Sequence, residues 1–203
     1  TLPNLTAVAG LQPSPPERPS SGYGSADSRY EVVEYSFTPE YPENMTSWWD
    51  DWAQKQEWKV HLFVPVGVEE ESVGVAVLLH GYQGEIVEFY RDSLVSLAGQ
   101  GLLVIFPQYV SDMDLSSIPD DFELTYIFGG SDHPQHLPRY TMALYGIDAA
   151  FAFIDDDAGV QGTLGGVAVD TDHLWIGGHS MGAGTTFYVM SELLGRGMGS
   201  ESL

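Results

Sequence analysis

Two segments near the start of the chain alternate apolar and polar residues with the period of a half-buried β-strand. They are VVEYSFT at residues 32–38 and EWKVHLFVP at residues 57–65. Successive side chains of a strand point to opposite faces, so this alternation places one face on a core and the other toward solvent. We predict two strands here, which begin a sheet as an antiparallel pair.

Further along the chain, continuous apolar runs alternate with segments of helical periodicity. The runs at 73–80, 102–109 and 173–180 have the composition of strands buried on both faces. Alternation of strands and helices predicts an α/β domain with a doubly wound, mostly parallel sheet. Three helices are predicted, at 85–101, 139–157 and 181–195, each with one apolar face. The first has Ile86, Phe89, Tyr90, Leu94 and Leu97 on this face. The second has Ala143, Ile147, Ala150 and Ile154, and the third has Ala183, Phe187, Met190 and Leu194.

Three segments do not fit this alternation. Residues 1–29 include a Pro-, Gly- and Ser-rich stretch and predict an extended or mobile leader, so we assign the domain to residues 30–203. Residues 44–56 are acidic and Trp-rich, which predicts a connection whose Trp side chains pack on the sheet edge. Residues 111–138 are too long for an ordinary strand–helix connection and follow a strand end where α/β sheets bind ligands. This insertion is either a lid or a decorative loop.

The charge balance narrows the choice of partners. Seven Lys and Arg residues stand against 29 Asp and Glu residues, which gives a formal net charge of -22. Such a surface repels phosphates and excludes nucleic acid as a partner. No apolar run approaches the roughly 18 residues of a membrane span. The absence of Cys excludes disulfides, thiol catalysis and Cys-based metal sites.

The first residues of the sequence predict that the N-terminus has been trimmed. The sequence begins at Thr1 without an initiator Met or a visible signal peptide, so we expect a trimmed N-terminus and a secreted or extracellular protein. Asn4 and Asn44 begin triplets of the N-glycosylation pattern, which are common by chance and matter only in a secreting eukaryote.

The sequence GHSMG at residues 178–182 fits the G-x-S-x-G pattern of a nucleophile elbow. Ser180 falls where a predicted strand ends and a predicted helix begins, and the flanking glycines suit a tight reversal of the backbone. At a helix N-terminus, partial positive charge and N–H groups favour a developing oxyanion. We predict that Ser180 is the catalytic nucleophile. The alternative is a serine that only caps the helix.

A second candidate element is LLHGYQGE at residues 78–85, which follows the first continuous apolar run. A His-Gly turn at that place is where the second oxyanion donor is expected. The predicted donors are the backbone N–H of Met181 and that of Tyr82 or Gly81. The Tyr82 ring either lines an acyl pocket or packs without a further role. The candidate pocket residues are Gly81, Tyr82, Gln83 and His179.

With these elements in place, residues 58–195 resemble an α/β-hydrolase domain, and are most similar to the group of dienelactone hydrolases, chlorophyllases and bacterial cutinases. The resemblance implies ester hydrolysis through an acyl-enzyme, with Ser180 attacking and Met181 and Tyr82 holding the oxyanion. It covers only the N-terminal part of such a domain. The resembling blocks are VAVLLHGYQGE, YRDSLVSLAGQGLLVIFPQY, GIDAAFAFID and VDTDHLWIGGHSMGAG, the last with Asp170 or Asp172 ahead of the nucleophile strand.

The chain offers no obvious catalytic base. In this family the acid and the base follow the nucleophile on later strands and loops, whereas here the sequence stops at Leu203. We predict that both come from a C-terminal segment or a second polypeptide, joined through the Gly- and Ser-rich, cleavable residues 195–203. We predict structural roles for His61, His80 and His173. The side chain of His179 is predicted to point away from the oxyanion site. His133 and His136 lie in the insertion and could in principle reach the pocket.

We predict no cofactor and no metal. A metal site formed by Asp132-His133 and His136 has no further ligand that the sequence can place. The carboxylates at 155–157 and 170–172 suit either calcium or a solvated acidic loop, and we favour the loop. Two rival functions remain open, a non-catalytic binding protein of the same fold and a serine peptidase or thioesterase on the same elbow.

Overall fold

The computed structural model describes residues 28–47, 49–111 and 136–199. The predicted leader, apart from residues 28 and 29, lies outside these ranges, as does most of the 111–138 insertion. The strands are β1 (Val32–Phe37), β2 (Val60–Pro65), β3 (Ser72–Leu79), β4 (Leu103–Pro107) and β5 (Ala168–Gly178). The helices are α1 (Glu43–Thr46), α2 (Arg91–Ala98), α3 (His136–Asp156), α4 (Ala158–Leu164) and α5 (Met181–Gly195), with 3₁₀ turns at Ala53–Lys55 and Val87–Phe89.

The strands form a five-stranded sheet in the order β1-β2-β4-β3-β5. β2 is antiparallel to both of its neighbours, β1 and β4, whereas β3 is parallel to both β4 and β5. It follows that β2 runs against the other strands and that the rest share one direction. The predicted antiparallel start and the mostly parallel sheet are both confirmed.

Helices cover both faces of this sheet, as the prediction of a doubly wound sheet requires. Leu94 and Ala98 of α2 pack with Phe106 on one face. Helices α3, α4 and α5 pack on the other face, where Ile147 contributes to the larger core and Ile105 projects from β4. The predicted apolar face of the helix at 139–157 is confirmed, because its four residues are 0 to 1% exposed.

β2 differs from the half-buried strand that its alternation predicts. All of its residues are buried, since it lies between β1 and β4 with helices on both sides. In the Trp-rich connection, Trp49 is buried in the larger core, and Trp52, which is 42% exposed, meets the ring of Trp58 edge-on at 5.6 Å. Trp48 lies outside the described residues.

The predicted helix at 85–101 is too long. The α-helix begins only at Arg91, after the 3₁₀ turn Val87–Phe89, so Ile86 and Phe89 are exposed and do not belong to its buried face. A tight turn in which the Gly84 N–H donates to the Gly81 carbonyl comes before this segment, and helical periodicity does not register such a turn.

The helix predicted at 181–195 has the predicted bounds, but its buried face is different. The buried residues are Gly182, Thr185, Val189 and Leu193, whereas Phe187, Met190 and Leu194 are exposed. The sequence of α5 is apolar on both sides, so periodicity alone cannot decide which side meets the sheet. The prediction of a doubly buried strand at 173–180 is wrong as well, because β5 is only partly covered and Trp175 is 46% exposed. Exposed apolar side chains thus lie on both elements, at Trp175 of β5 and at Phe187, Met190 and Leu194 of α5.

Helix α4 was not predicted, and its start explains one of the acidic clusters. The Asp157 carboxylate accepts hydrogen bonds of 2.9 Å from the N–H groups of Gly159 and Val160, which makes it the N-cap of α4. Within the described ranges, no group of three or more His, Asp or Glu side chains is arranged to hold a metal ion. In the same part of the chain, no helix is long and apolar enough to cross a membrane.

We expect Asp157→Ala to lower the free energy of unfolding by about 1 kcal/mol, the usual loss when a capping carboxylate is removed. Asp156→Ala is the matched control, because Asp156 is an exposed neighbour at the end of α3 and we expect its replacement to change stability by less than about 0.5 kcal/mol. Urea denaturation of both variants measures the difference. Equal stabilities would show that the cap contributes nothing. A wild-type midpoint raised by calcium and unmoved in Asp157→Ala would restore the calcium interpretation.

Candidate active site

Ser180 lies at the junction of β5 and α5 in an uncommon backbone conformation. Its φ of 53° and ψ of -115° make it one of two non-glycine residues with positive φ in the described chain. An L-residue in such a region costs roughly 1–3 kcal/mol and is kept only where its surroundings impose it. Ser180 is also an exposed residue.

The surroundings that impose this conformation are the two glycines of GHSMG. A Cβ on Gly178 would lie 2.3 Å from the Gly182 carbonyl carbon and 2.6 Å from the Ala183 nitrogen. A Cβ on Gly182 would lie 2.3 Å from the carbonyl oxygen of Leu79 and 2.5 Å from that of His80. These contacts are with backbone atoms, which cannot move aside as a flexible side chain would. Side chains at either position are therefore incompatible with the turn.

The turn is fastened to the end of the neighbouring strand β3. The His179 N–H donates to the Leu79 carbonyl at 3.0 Å, and the Gly182 N–H donates back to the His179 carbonyl at 2.8 Å. The chain leaving β3 passes directly beside Ser180, since a Cβ on Gly81 would lie 3.3 Å from the Ser180 Cβ. The structure thus brings together the two sequence elements that the motif analysis paired, GHSMG and the loop of residues 80–85.

Residues that follow β4 form hydrogen bonds with the 80–85 loop. Gln83, the other non-glycine residue with positive φ (52°), donates its N–H to Ser111 Oγ at 2.8 Å. The buried Arg139 of α3 donates to the Ser111 carbonyl at 2.8 Å, and Gln108 Nε2 donates to the Glu85 carbonyl at 2.7 Å. Hydrogen bonds from Gln108 and to Ser111 therefore restrict the position of the loop.

His80 is a structural residue of this loop, as predicted. Its Nδ1 donates to the Gly81 carbonyl at 2.8 Å, and its Nε2 accepts the Tyr109 N–H at 3.1 Å. The Tyr109 ring stacks on the imidazole at 3.8 Å, and the Tyr109 hydroxyl donates to the His80 carbonyl. Burial lowers the pKa of His80 to about 4, so the ring is neutral near pH 7 and both of its nitrogens are occupied.

The Tyr90 hydroxyl lies between the loop and the turn. It accepts the Gly81 N–H at 3.1 Å and lies 3.0 Å from His179 Nδ1. The exposed His179 ring thus sits beside Gly81 and Tyr90, and its Nδ1 would be 3.0 Å from a Cβ on Gly81. Tyr82, the next residue of the loop, is 50% exposed. Of the predicted pocket residues, Gly81 and His179 thus lie directly beside Ser180, and Tyr82 and Gln83 follow Gly81 along the loop.

The remaining histidines lie away from Ser180 or outside the described residues. His61 is buried on β2, bonds Glu34 through Nδ1 at 3.1 Å, and has its pKa lowered chiefly by burial. His173 bonds Asp170 at 2.7 Å, which lowers the pKa of that carboxylate. This acid–histidine pair lies five residues before Gly178 along β5, or roughly 16 Å at the usual rise of a strand. His133 is not described, nor is the side chain of His136.

Sequence reasoning missed the residues that support the site from elsewhere in the fold. Tyr90 was assigned to a buried helix face, whereas it is the N-cap residue of α2 and points its hydroxyl at Gly81. Ser111, Gln108 and Arg139 gave no signal, because hydrogen bonds to a distant loop leave no periodic trace. A Tyr placed shortly after a Gly-rich turn is the one feature that could have suggested the link.

Comparison with known proteins gives fold-level likenesses at low identity. No protein-family model matches the sequence, and no curated protein matches it either. Among solved structures, brefeldin A esterase, described as a bacterial homologue of human hormone-sensitive lipase, aligns with a TM-score of 0.48 and 15% identity over 84% of this chain and 37% of its own.

Two further esterases align at similar levels. Esterase B from Lactobacillus rhamnosis aligns with a TM-score of 0.44 and 17% identity, over 82% of this chain and 41% of its own. An esterase from the fungus Rhizomucor miehei aligns with a TM-score of 0.44 and 15% identity, over 87% of this chain and 44% of its own. The chain thus spans 37 to 44% of the length of these three structures.

Proposed function

We propose that this chain is the nucleophile-bearing part of an α/β-hydrolase that cleaves carboxylic esters through an acyl-enzyme formed on Ser180. The observation that carries the proposal is the backbone of Ser180, which is held at φ 53° and ψ -115° between a strand and a helix by two glycines that tolerate no Cβ. A helix-capping serine needs no such strain, and in α5 the Ser180 side chain makes no capping hydrogen bond.

The proposed reaction is a two-step acyl transfer. Ser180 Oγ attacks the carbonyl carbon of the ester while a base takes its proton, which gives a tetrahedral intermediate with a negatively charged oxygen. Collapse of the intermediate breaks the bond to the leaving oxygen, which receives the proton and departs as the alcohol. Water then attacks the acyl-enzyme in the same way and releases the carboxylic acid together with the free Ser180 hydroxyl.

Two backbone N–H groups are proposed to hold the negatively charged oxygen. Met181 begins α5, and the first N–H groups of a helix have no partner within the helix. For the second donor, the sequence left Tyr82 and Gly81 as alternatives. The Gly81 N–H already donates to the Tyr90 hydroxyl, which supports Tyr82. The site therefore supplies attack and oxyanion binding from this chain.

We propose that the base and the acid come from a C-terminal segment or a second polypeptide. Among the described histidines, His80 has both ring nitrogens occupied, and His61 on β2 and His173 on β5 lie away from Ser180. His179 Nδ1 lies 3.0 Å from the Tyr90 hydroxyl, which turns the ring toward Tyr90. The exposed apolar side chains of β5 and α5 support the same proposal, because in the described chain β5 pairs on one side only, with β3. A further strand would pair with this edge, and further elements on the two faces would cover these side chains.

The substrate class is proposed from the loop beside Ser180. Tyr82, Ile86 and Phe89 are exposed apolar side chains on and after this loop, at 50, 47 and 69%. They favour an ester with an apolar acyl group, such as a lipid-like ester or a polyester, and agree with the resemblance to the dienelactone hydrolase, chlorophyllase and cutinase group. A peptidase or a thioesterase would use the same attack geometry, and only a substrate panel separates them.

A fluorophosphonate probe tests the proposal, because it forms a bond to an activated serine in the geometry of the acyl transfer. We expect the chain joined to its C-terminal continuation to take one probe molecule, which peptide mapping places on Ser180, and to cleave short-chain nitrophenyl esters. The 203-residue chain alone is expected to react at least about 100-fold more slowly, because the proposed base lies in the continuation.

The outcomes separate the parts of this proposal. Rapid labelling of the 203-residue chain alone would overturn the assignment of the base to another segment. An assembled, folded protein that neither labels nor hydrolyses esters would support a binding protein of the same fold. Labelling of Ser180 with hydrolysis of peptides or thioesters in preference to esters would keep the nucleophile and correct the substrate.

A further inference from the structure

We propose that Tyr90 is a positioning residue that aims the second oxyanion donor at Ser180 by occupying the N–H of the residue before it. This inference rests on the proposed function, since it assigns a role within the same reaction. Tyr90 touches no reacting atom. It acts through the peptide groups of Gly81 and Tyr82 and through the ring of His179.

The first step of the argument is the place of the Tyr90 hydroxyl. It accepts the Gly81 N–H at 3.1 Å and approaches His179 Nδ1 at 3.0 Å. It therefore joins the loop that carries one proposed oxyanion donor to the residue directly before the nucleophile. When the hydroxyl donates to Nδ1, the hydrogen bonds run in one direction, from the Gly81 N–H to Tyr90 and from Tyr90 to His179.

The second step is that the hydroxyl is tightly enclosed. A Cβ on Gly84 would lie 2.7 Å from the Tyr90 hydroxyl, and the Gly84 N–H closes a turn onto the Gly81 carbonyl at 3.1 Å. The Tyr90 ring packs on Phe106 of β4 at a centroid distance of 5.4 Å. The contact with the sheet therefore restricts the Tyr90 ring, and with it the position of the hydroxyl that binds the Gly81 N–H.

The third step concerns direction. Gly81 carries no side chain, so its peptide planes can rotate more freely than those of other residues. The carbonyl of Gly81 is held by His80 Nδ1, and its N–H is held by Tyr90. The Gly81 carbonyl shares a peptide plane with the Tyr82 N–H, and the Gly81 N–H shares one with the His80 carbonyl, which accepts the Tyr109 hydroxyl. Without the Tyr90 hydroxyl, this second plane keeps only the Tyr109 contact, so the Gly81 N–H can tilt toward the oxyanion site and compete with the Tyr82 donor.

The test is Tyr90→Phe in the protein that includes the C-terminal continuation. We expect kcat on a short-chain nitrophenyl ester to fall about 10-fold with KM changed less than about 2-fold, because only a transition-state interaction is lost. The affinity for a trifluoromethyl ketone, whose adduct places an oxyanion in the same site, should fall by a similar factor. A residue that served only to stabilise the fold would lower the unfolding midpoint without this split between kcat and KM.

Tyr35→Phe is the matched control. The Tyr35 hydroxyl also makes two hydrogen bonds, to the Gly159 carbonyl at 2.9 Å and to Thr163 Oγ1 at 2.6 Å, but they join β1 to α4. We expect this variant to lose stability and to keep kcat, KM and ketone affinity. Equal kinetics for Tyr90→Phe and Tyr35→Phe would overturn the role of Tyr90.

A second perturbation reaches the same hydroxyl from the other side. Gly84→Ala pushes a methyl group against the Tyr90 hydroxyl, and we expect it to lower kcat in the wild type and to cost at least about 3-fold less in the Tyr90→Phe background. Additive losses would contradict coupling through the hydroxyl. If the wild type itself neither labels nor hydrolyses esters, the proposed function fails, whereas normal wild-type turnover with an unaffected Tyr90→Phe variant overturns only this inference.

Discussion

We expect replacement of Ser180 by Ala to reduce ester hydrolysis by about 10⁴-fold or more and to abolish fluorophosphonate labelling, because Ser180 Oγ is the proposed site of the acyl bond. We expect replacement by Gly to remove activity to the same extent but to give a more stable protein than replacement by Ala. Glycine adopts a φ of 53° and a ψ of -115° without the steric cost that any L-residue bears there. We expect the free energy of unfolding of Ser180→Gly to exceed that of Ser180→Ala by about 1 kcal/mol.

Thermal denaturation and turnover, measured on the same preparations, check this pair. A difference of about 1 kcal/mol corresponds to roughly 2–4 °C in the melting temperature of a domain of this size. Activity retained in Ser180→Ala at more than about 1% of the wild type would refute the nucleophile. A Ser180→Gly variant no more stable than Ser180→Ala would show that the turn is relaxed in solution and that strain is not part of the site.

Gly182→Ala will damage both stability and activity. The new methyl group would meet the carbonyl oxygens of Leu79 and His80 at 2.3 and 2.5 Å, and both belong to the backbone that leads into the 80–85 loop. Either α5 moves away from β3 or the loop shifts, and each movement separates Ser180 from the Tyr82 N–H. We expect a loss of about 3 kcal/mol in unfolding free energy and of about 100-fold in kcat/KM.

Gly184→Ala is the control for this effect, since it places the same change two residues further along α5. A Cβ on Gly184 meets no atom within 4 Å. We expect it to stabilise the protein by about 0.5–1 kcal/mol through helix propensity alone, with unchanged kinetics. Similar behaviour of the two alanine variants, followed by urea denaturation and ester turnover, would mean that the GHSMG turn tolerates a side chain and that the elbow geometry is wrong.

The sequence predicted the parts of the fold whose burial is periodic. The face of α3 that includes Ile147 and Ile154 is fully buried, because a helix packed against a sheet repeats its contacts every three or four residues. The bounds of α5 were predicted for a different reason. A glycine-flanked serine marks where a strand turns into a helix, whatever the helix packs against.

The same pattern failed where one sequence feature had two structural outcomes. α5 is apolar around most of its circumference, and the residues chosen for its core face, Phe187 and Met190, are exposed, whereas Val189 is buried. The strand β2 alternates as a half-buried strand does but is central in the sheet. Both errors come from tertiary partners, which the local pattern does not contain.

For the candidate site, the sequence supplied the residues that are proposed to meet the substrate and missed those that position them. Ser180 and Tyr82 stand in motifs whose spacing follows from backbone geometry. Tyr90 and Ser111 act across the fold through hydrogen bonds to residues far away in the sequence, and such bonds impose no spacing on the chain.

The hydrogen bond from the His179 N–H to the Leu79 carbonyl joins the ends of two neighbouring parallel strands. The proposed attacking oxygen follows one strand and a proposed oxyanion donor follows the other. Their separation is therefore set by the distance between adjacent strands, about 4.8 Å in any sheet. Residues that shape the surrounding surface can then change without altering this distance, so such a protein can acquire new ester preferences while its reactive centre keeps the same dimensions.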